Sequence, residues 1–320
     1  MASEFELIRR HFTLPTRNTR LGVGDDAALL VPRPGMELVV TSDMLVSGTH
    51  FFADTDPVDL GWKTLAVNVS DIAAMGAEPR WAFLAIALPA ADEAWIAGLA
   101  KGFAECAERF SIDLAGGDTT RGPLTLSVTL IGEVAAGRAV RRDGAKPGED
   151  LWVTGTPGQA ALGLAHLRGE LALPADTAAI CVAALHRPQP RVEAGLALNG
   201  IATAMLDVSD GLLGDLGHIL ERSGVGAEVE LDCLPHALTG ECAIAGDRMQ
   251  DTTLRGGDDY ELLFTAPTSQ RGVITRLSGD LGLPFTRIGV ISNDARVITL
   301  IDSQGTRTRT SALGYDHFRA

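Results

Sequence analysis

The chain has 320 residues, of which 46% are hydrophobic, so it is long enough for two domains that each bury a core. Its formal net charge of -14 argues against nucleic acids and anionic membranes as partners, because both are bound through basic surfaces. The N-terminal segment lacks the apolar core of a signal peptide, and no apolar run approaches the roughly 20 residues that span a bilayer. We therefore expect a soluble, cytoplasmic protein whose four scattered cysteines are reduced.

The first half of the chain alternates strand and helix patterns. Helical periodicity places Leu65, Val69 and Ile72 on an apolar stripe, and it places Asn68 and Asp71 together on a second, polar stripe. The predicted strands lie near Leu21–Leu30, Glu37–Ser42, Trp81–Leu88, Ile112–Ala115 and Leu124–Val134, and the predicted helices near Pro57–Met75 and Asp92–Phe110.

A polar segment, Arg141–Asp150, is punctuated by Gly and Pro and is the best candidate for a domain boundary. We divide the chain into residues 1–137 and 138–320. The second part mixes strands near Leu151–Thr154, Ala204–Asp207, Ala227–Leu231, Tyr260–Thr265, Thr286–Ile291 and Arg296–Ile301 with helices near Gln159–Leu167, Thr177–Leu185, Arg191–Leu198 and Leu212–Arg222. Mixed order in both parts predicts two α/β or α+β domains.

Aspartates recur beside glycine or polar residues, mostly where a predicted strand meets a turn, which is where open α/β sheets bind ligands. The segments are Gly24–Asp26, Thr41–Asp43, Asn68–Asp71, Gly116–Thr120, Asp207–Gly211 and Gly256–Asp259. Any one such aspartate is more often a turn residue or a helix cap. Six such segments in apolar surroundings are harder to explain as turns and caps alone, because two carboxylates about 4 Å apart repel by about 4 kcal/mol at a surface-like dielectric. All-oxygen carboxylate sites suit Mg²⁺, which bridges to substrate phosphates.

The common nucleotide-binding motifs are missing from the sequence. It contains neither a P-loop nor the paired motifs of protein kinases. Gly22, Gly24 and Ala27 match G-x-G-x-x-A, but an apolar strand and not a helix is predicted to follow, so we reject a dinucleotide fingerprint. The turn Gly155–Gly158 precedes a helix, where it is either an ordinary turn or an anion cradle.

Eight motifs along the chain carry a family resemblance. They are GVGDDAALL, TSDMLVSGTHF, WKTLAVNVSDIAAMGAEP, LAGGDTTRGPL, RRDGAKPGEDLWVTGTPG, LDVSDGLLGDLGHI, RGGDDYELLF and GYDHF. In order and spacing they resemble the thiamine-monophosphate kinase family, from about Phe5 to Phe318. The resemblance implies a fold like that of aminoimidazole ribonucleotide synthetase, with an N-terminal α/β domain whose sheet pairs in a homodimer and a C-terminal α/β domain.

The same resemblance implies ATP- and Mg²⁺-dependent phosphorylation of thiamine monophosphate to thiamine diphosphate, the last step of thiamine diphosphate biosynthesis. The matching metal-binding positions are Asp26, Thr41, Ser42, Asp43, Asp71, Asp118, Asp207 and Asp210, and among these Asp71, Asp118 and Asp210 are the catalytic candidates. The matching nucleotide-binding positions are Gly117, Asp118, Arg142 and Ser209. The matching substrate-binding positions are His50, Asp258 and Tyr315. The adjacent Asp25 is expected to shape the turn or to support Asp26 without binding the metal itself. The two side chains are expected to point to opposite faces of one strand.

Two positions depart from the family pattern. Many members of the family it resembles carry G-G-E-D where this chain has Gly256–Asp259, and the shorter Asp258 retracts its carboxylate by about one bond. Many members also carry Trp near the C-terminus where this chain has Tyr315, whose smaller ring stacks with less buried area.

Alternative functions remain open at the level of the sequence. The same fold serves aminoimidazole ribonucleotide synthetase, selenophosphate synthetase and a hydrogenase-maturation dehydratase. The N-terminal segment lacks the cysteine of the selenium enzyme, and the C-terminal segment GYDHFRA lacks that of the maturation protein. A nucleotide-sensing or metal-binding protein without turnover is the alternative from a different class.

Overall fold

A computed structural model describes residues 4–238 and 246–311 of the chain. The chain divides into two compact units, the first comprising Met1–Ala73 with Ala77–Gly137 and the second Ala74–Gly76 with Arg138–Ala320. Both units combine helices with a β-sheet, which confirms the predicted mixed α/β class. Within the described ranges, no helix has the length and apolar character that crossing a bilayer requires.

The first unit is built around a four-stranded sheet of order β3-β6-β4-β5. Its helices are α1 (Glu4–Leu7), which continues as a π-helix (Ile8–Phe12), α2 (Pro57–Ala74) and α3 (Glu93–Arg109). Its strands are β1 (Thr19–Leu21), β2 (Leu29–Leu30), β3 (Met36–Val46), β4 (Glu78–Leu88), β5 (Asp113–Arg121) and β6 (Thr125–Ala135). Strands β4 and β5 run parallel, and the other two pairings of this sheet are antiparallel.

Helix α2 packs one face on the sheet and another on α3. The predicted apolar stripe is confirmed, since Leu65, Val69 and Ile72 are all completely buried. Two glycines allow the helices to touch: a Cβ at Gly61 would lie 2.0 Å from the Leu99 carbonyl oxygen, and one at Gly102 would lie 1.7 Å from that of Val58. Any larger residue at either position would push the two helices apart.

The outer face of the sheet, which points away from α2, is apolar along the edge strand β3. Side chains alternate along a strand, so Leu38, Val40, Ser42 and Met44 share this face. Leu38, Val40 and Met44 are 46%, 61% and 56% exposed. Exposed apolar side chains in a row on an edge strand are typical of a surface that another chain covers.

The predicted strand over Leu21–Leu30 is wrong. Only β1 and β2 are extended; they pair antiparallel, with Thr19 opposite Leu30, and residues 22–28 connect them. Gly24 adopts φ 120°, a conformation outside the strand region that glycine tolerates. Asp25 and Asp26 are both exposed in this loop, so water screens their repulsion, and opposite strand faces are not the reason that their adjacency is tolerated.

The second unit contains a seven-stranded sheet of order β13-β12-β9-β11-β7-β10-β8. Its strands are β7 (Asp150–Thr154), β8 (Ala204–Asp207), β9 (Gly226–Glu230), β10 (Leu262–Ala266), β11 (Phe285–Ser292), β12 (Ile298–Ile301) and β13 (Arg307–Thr310). Its helices are α4 (Gln159–Leu167), α5 (Ala175–His186), α6 (Val192–Leu198), α7 (Leu212–Ser223), α8 (Gly246–Arg255) and α9 (Arg271–Leu281), with short 3₁₀ turns at Leu231–Cys233 and Thr268–Gln270.

Pairing in this second sheet is mostly antiparallel, so its strands do not end together at one carboxyl edge of the kind at which open parallel sheets bind ligands. Among the described strands, β12 with β9 is the parallel pair. Helices α8 and α9 and strand β13 are elements that the sequence patterns did not predict. In α9 only Ile274 is fully buried and two glycines interrupt the sequence, which weakens the helical pattern.

Buried charge in the second sheet is compensated by ion pairs. Asp150 is completely buried on β7, and it accepts hydrogen bonds from Arg271 at 2.7 Å and from Arg287 at 2.8 Å. Burial by itself would raise the pKa of Asp150, but the hydrogen bonds and charges of the two guanidinium groups outweigh it and hold that pKa below its ordinary value.

Candidate active site

A polar cluster forms where helix α2 faces strand β3. The Thr41 hydroxyl donates a hydrogen bond to Asp71 Oδ2 at 2.5 Å, and Asn68 Oδ1 accepts the backbone N–H of Asp43 at 3.0 Å. The predicted common direction of Asn68 and Asp71 is therefore confirmed. Thr41 and Asp43 meet this polar stripe because they are two residues apart and share the inner face of β3.

Ser42 lies on the other face of the same strand. Its hydroxyl is 3.1 Å from that of Thr129, on the outer face of the sheet. The hydroxyl of Ser42 therefore lies on the opposite face of β3 from the side chains of Thr41 and Asp43.

His50 lies in the turn after β3. Its Nδ1 accepts the backbone N–H of Val46 at 3.0 Å, so in the neutral ring the proton is on Nε2. The turn thus fixes which nitrogen of His50 can donate a hydrogen bond.

Asp118 and Gly117 lie on β5, beside a small cavity. A Cβ at Gly117 would be 1.9 Å from the Leu84 carbonyl oxygen, so only glycine fits there. Phe12, Val23, Leu84 and Asp118 are among the residues lining the cavity, whose volume is about 50 Å³. Val23 belongs to the same loop as Asp26, whose side chain is exposed.

In the second unit, the strand end that carries Asp207 is hydrogen-bonded to the segment that carries Asp258. The backbone N–H of Asp258 donates to the Ser209 carbonyl at 2.9 Å, and that of Tyr260 donates to Val208 at 2.8 Å. Asp258 and Tyr260 adopt φ 66° and 54°, which is strained for residues with a Cβ. The Tyr260 hydroxyl also donates to Asp258 Oδ1 at 3.0 Å. These contacts place Asp258 next to Ser209.

Asp215, in the first turn of α7, holds the same segment from the other side. Its Oδ2 accepts the backbone N–H groups of Ser209 and Asp210, both at 3.0 Å. The pKa of Asp215 is raised to about 7, chiefly by burial; the charge of Asp210 contributes to this rise, whereas the two N–H bonds and the charge of Arg142 oppose it. Sequence reasoning did not single out this carboxylate, although its position on the apolar face of an amphipathic helix was a usable signal.

Two further acidic residues, Asp259 and Glu261, connect the segment of Asp258 to the residues that precede α4 and α6. Asp259 accepts the backbone N–H of Gly158, the residue preceding α4, at 2.8 Å, and its burial holds its pKa well above the ordinary value. Glu261 accepts hydrogen bonds from Arg191 at 2.6 and 2.8 Å and from the Thr154 hydroxyl at 2.6 Å. The turn Gly155–Gly158 is thus partly explained as a turn capped by a carboxylate of the chain itself.

The remaining predicted positions are less defined by contacts. The side chain of Arg142 is exposed, and its carbonyl accepts the Ser223 hydroxyl at 2.9 Å. Asp207 is 4% exposed at the end of β8. Tyr315 and Cys242 lie outside the described residues.

The donor set fits Mg²⁺ by its chemistry. Within residues 4–238 and 246–311, no group of three or more His, Cys, Asp or Glu side chains is arranged as a metal site. Mg²⁺ does not require one, because it keeps several waters and is held by one or two carboxylates together with substrate phosphates. The hydroxyl and carboxylate oxygens of Thr41, Asp43 and Asp71 are hard ligands of the kind that this ion prefers.

Comparison with known proteins gives the same families from sequence and from structure. Two family models match, AIR synthase related protein, N-terminal domain, over residues 24–134, and AIR synthase related protein, C-terminal domain, over residues 146–302. The chain is 44% identical over 320 residues to the thiamine-monophosphate kinase of Salmonella typhimurium, with 98% of each covered. It is similar to the crystal structure of thiamine-monophosphate kinase from Stenotrophomonas maltophilia, with a TM-score of 0.85, 48% identity and coverage of 97% and 98%. It is also similar to AaThiL complexed with AMPPCP and TMP, with a TM-score of 0.78, 30% identity and 92% of each chain covered.

Proposed function

The chain belongs to the thiamine-monophosphate kinase family, and from this premise we propose that it transfers the γ-phosphoryl group of ATP to thiamine monophosphate, giving thiamine diphosphate and ADP. The observation that carries the proposal is the similarity, over 92% of this chain, to AaThiL complexed with AMPPCP and TMP. The enzyme is a phosphotransferase with a phosphate group as acceptor, and ATP is its co-substrate.

Direct in-line transfer needs no strong general base here. The acceptor oxygen belongs to a phosphate that is already largely ionised at neutral pH, so no proton must be removed before attack. The difficulty is that two anions must approach each other, and the transition state spreads negative charge over the phosphoryl oxygens. Positioning and charge neutralisation are therefore the work that the protein must do.

Aspartates on both units are the proposed Mg²⁺ ligands. Bound Mg²⁺ would neutralise phosphate charge and orient the transferred group. Thr41 supports this assignment, because its hydroxyl shares a face with Asp43 and contacts Asp71, whereas the hydroxyl of Ser42 does not lie on this face. The proposed ligand positions are therefore Asp26, Thr41, Asp43, Asp71 and Asp118 in the first unit and Asp207 and Asp210 in the second; Ser42, which the resemblance also implied, is not retained because its hydroxyl lies on the outer face of the sheet.

The remaining roles concern the two substrates. We assign the nucleotide to Gly117, Asp118, Arg142 and Ser209, and thiamine monophosphate to His50, Asp258 and Tyr315. His50 carries its neutral-state proton on Nε2, as a donor to the acceptor phosphate requires. The Tyr260 hydroxyl holds the carboxylate of Asp258, which restricts where this shorter side chain can reach.

We also propose that residues 1–137 form the metal- and nucleotide-binding domain that dimerises and residues 138–320 the C-terminal domain, in a cytoplasmic homodimer. The apolar outer face of the sheet supports a dimer, since Leu38, Val40 and Met44 are about half exposed in the single chain. The described cysteines, Cys106, Cys181 and Cys233, are present as thiols, as is usual in a reducing compartment.

Val40→Asp is expected to convert the dimer into a monomer, because it places a charge at the centre of the proposed interface. Sedimentation should give the single-chain mass of 33.6 kDa for this variant and twice that mass for the unmodified chain. Ile180→Asp is the matched control, since Ile180 is 56% exposed in the second unit. A wild-type protein that sediments as a single chain at micromolar concentration would refute the proposed dimer.

Product analysis tests the reaction itself. With ATP, Mg²⁺ and thiamine monophosphate, ADP and thiamine diphosphate should form in equal amounts, whereas unphosphorylated thiamine or no acceptor should give neither above background. Label from γ-labelled ATP should reach the product without becoming attached to the protein. ADP release that is independent of thiamine monophosphate would contradict the substrate assignment, and labelled protein in its absence would contradict direct transfer.

A further inference from the structure

Asp215 is a carboxylate in an apolar position. It is 4% exposed, and its neighbours on α7, Leu212, Leu213 and Leu216, are completely buried. Burying a carboxylate is unfavourable unless hydrogen bonds compensate for it. The compensation here comes from the two backbone N–H groups of Ser209 and Asp210, which converge on one oxygen, Oδ2.

We propose that Asp215 is a positioning residue, whose Oδ2 holds the peptide groups of Ser209 and Asp210 so that both side chains keep the directions needed for the nucleotide and its metal. This inference rests on the proposed function, in which Ser209 contacts the nucleotide and Asp210 binds Mg²⁺. Asp215 acts through these two residues and is not itself assigned a contact with substrate.

The hydrogen bonds around Ser209 show why a single oxygen atom, Asp215 Oδ2, can position this residue. Its N–H donates to Asp215 and its carbonyl accepts from Asp258, so both sides of this residue are held. Gly211, which follows Asp210 and precedes α7, has no side chain that could accept these N–H groups in place of Asp215. Gly211 also adopts φ 110° and cannot gain a Cβ, which would lie 2.7 Å from the Arg255 carbonyl oxygen.

Loss of the Oδ2 acceptor frees two N–H groups at once. Asp215→Ala should therefore raise KM for ATP about 30-fold while KM for thiamine monophosphate stays within about threefold, because two buried N–H groups are left without their acceptor. Asp215→Asn should stay within about threefold of the unmodified chain in both constants, because its amide oxygen can occupy the position of Oδ2 and accept both bonds.

Two measurements without turnover separate this inference from the proposed reaction. Hydrogen exchange of the Ser209 and Asp210 amides, in the ligand-free protein, should become faster in Asp215→Ala and remain slow in Asp215→Asn. Calorimetric affinity for AMPPCP with Mg²⁺ should fall about 30-fold in the alanine variant alone. Both readouts keep their meaning if the acceptor proves not to be thiamine monophosphate.

Glu221→Ala, an exposed carboxylate on the same helix, is the matched control and should leave every readout unchanged. The inference is overturned if Asp215→Ala exchanges and binds AMPPCP like this control, or if Asp215→Asn loses as much as Asp215→Ala. If Asp215→Ala does not fold, Asp215→Glu replaces it, since the carboxylate is kept but its oxygen is displaced by one methylene. Wild-type exchange and AMPPCP affinity in Asp215→Glu would equally overturn the inference.

Discussion

Asp71→Asn and Asp210→Asn should each lower kcat by at least about 100-fold while the chain stays folded, the size of effect found when one preorganised electrostatic group is removed from an active site. Each change keeps the size of the side chain and removes one negative charge. In Asp71→Asn the amide oxygen can still accept the hydrogen bond that Thr41 donates to Asp71 Oδ2, so the packing of α2 on β3 is preserved. What is lost is a strong anionic ligand for Mg²⁺.

The measurement is thiamine diphosphate formation over a range of Mg²⁺ concentrations, with far-ultraviolet circular dichroism as the check on folding. Asp280→Asn, on the exposed side of α9, is the matched control and should keep full activity. If both Asp71→Asn and Asp210→Asn turn over at the wild-type rate, the metal assignment is wrong. If a variant loses its folded circular dichroism signal as well as its activity, the carboxylate is needed for structure.

Arg191→Met should destabilise β7 and β10 of the second unit by about 3–5 kcal/mol, because breaking a buried pair leaves an uncompensated charge. The partner, Glu261, has a side chain only 5% exposed, and Arg191 supplies two of its hydrogen bonds, at 2.6 and 2.8 Å. The carboxylate lies directly against the backbone of Gly155, since a Cβ at that position would be 1.8 Å from its Oε1. Burial alone would lower the pKa of Arg191, but the bonds to Glu261 outweigh it and raise that pKa.

Hydrogen exchange of the amides of β7 and β10 measures this loss, since both strands flank Glu261 and its partner Thr154. The double variant Arg191→Met with Glu261→Met should recover most of the stability, because no buried charge is left unpaired. Arg276→Met makes the same substitution at an exposed arginine, and its stability should stay within about 0.5 kcal/mol of that of the unmodified chain. A single Arg191→Met variant as stable as that control would show that Glu261 does not depend on its partner.

Local patterns predicted those elements whose signal lies within one helix or strand. Helix α2 was predicted with both its stripes, because residues three and four apart share a face whatever else the chain does. Asp92 was predicted at the start of α3, where it accepts the N–H groups of Ala94 and Trp95 at 3.0 and 3.2 Å. Such signals depend on backbone periodicity and on the unsatisfied N–H groups of a helix end, which a sequence displays directly.

Patterns that depend on a partner strand were less informative. The stretch Leu21–Leu30 alternates like a strand, yet most of it is a loop, because a strand forms only where another supplies its hydrogen bonds. The antiparallel order of the second sheet was also not predictable, since no local residue pattern specifies which strands become neighbours. Helix α9 went unpredicted because a single fully buried residue, Ile274, marks its inner face.

The sequence by itself determined the family, the two-domain class and the acidic residues that suit a phosphoryl-transfer site, because those features lie in residue types, their order and their spacing. Only the tertiary structure decided that Thr41 and not Ser42 faces Asp71, and that Ser209 and Asp210 share one oxygen of Asp215. These contacts join residues from different elements, or from a loop and a helix. Which atoms meet there depends on strand faces and helix phase in the packed chain, not on spacing along it.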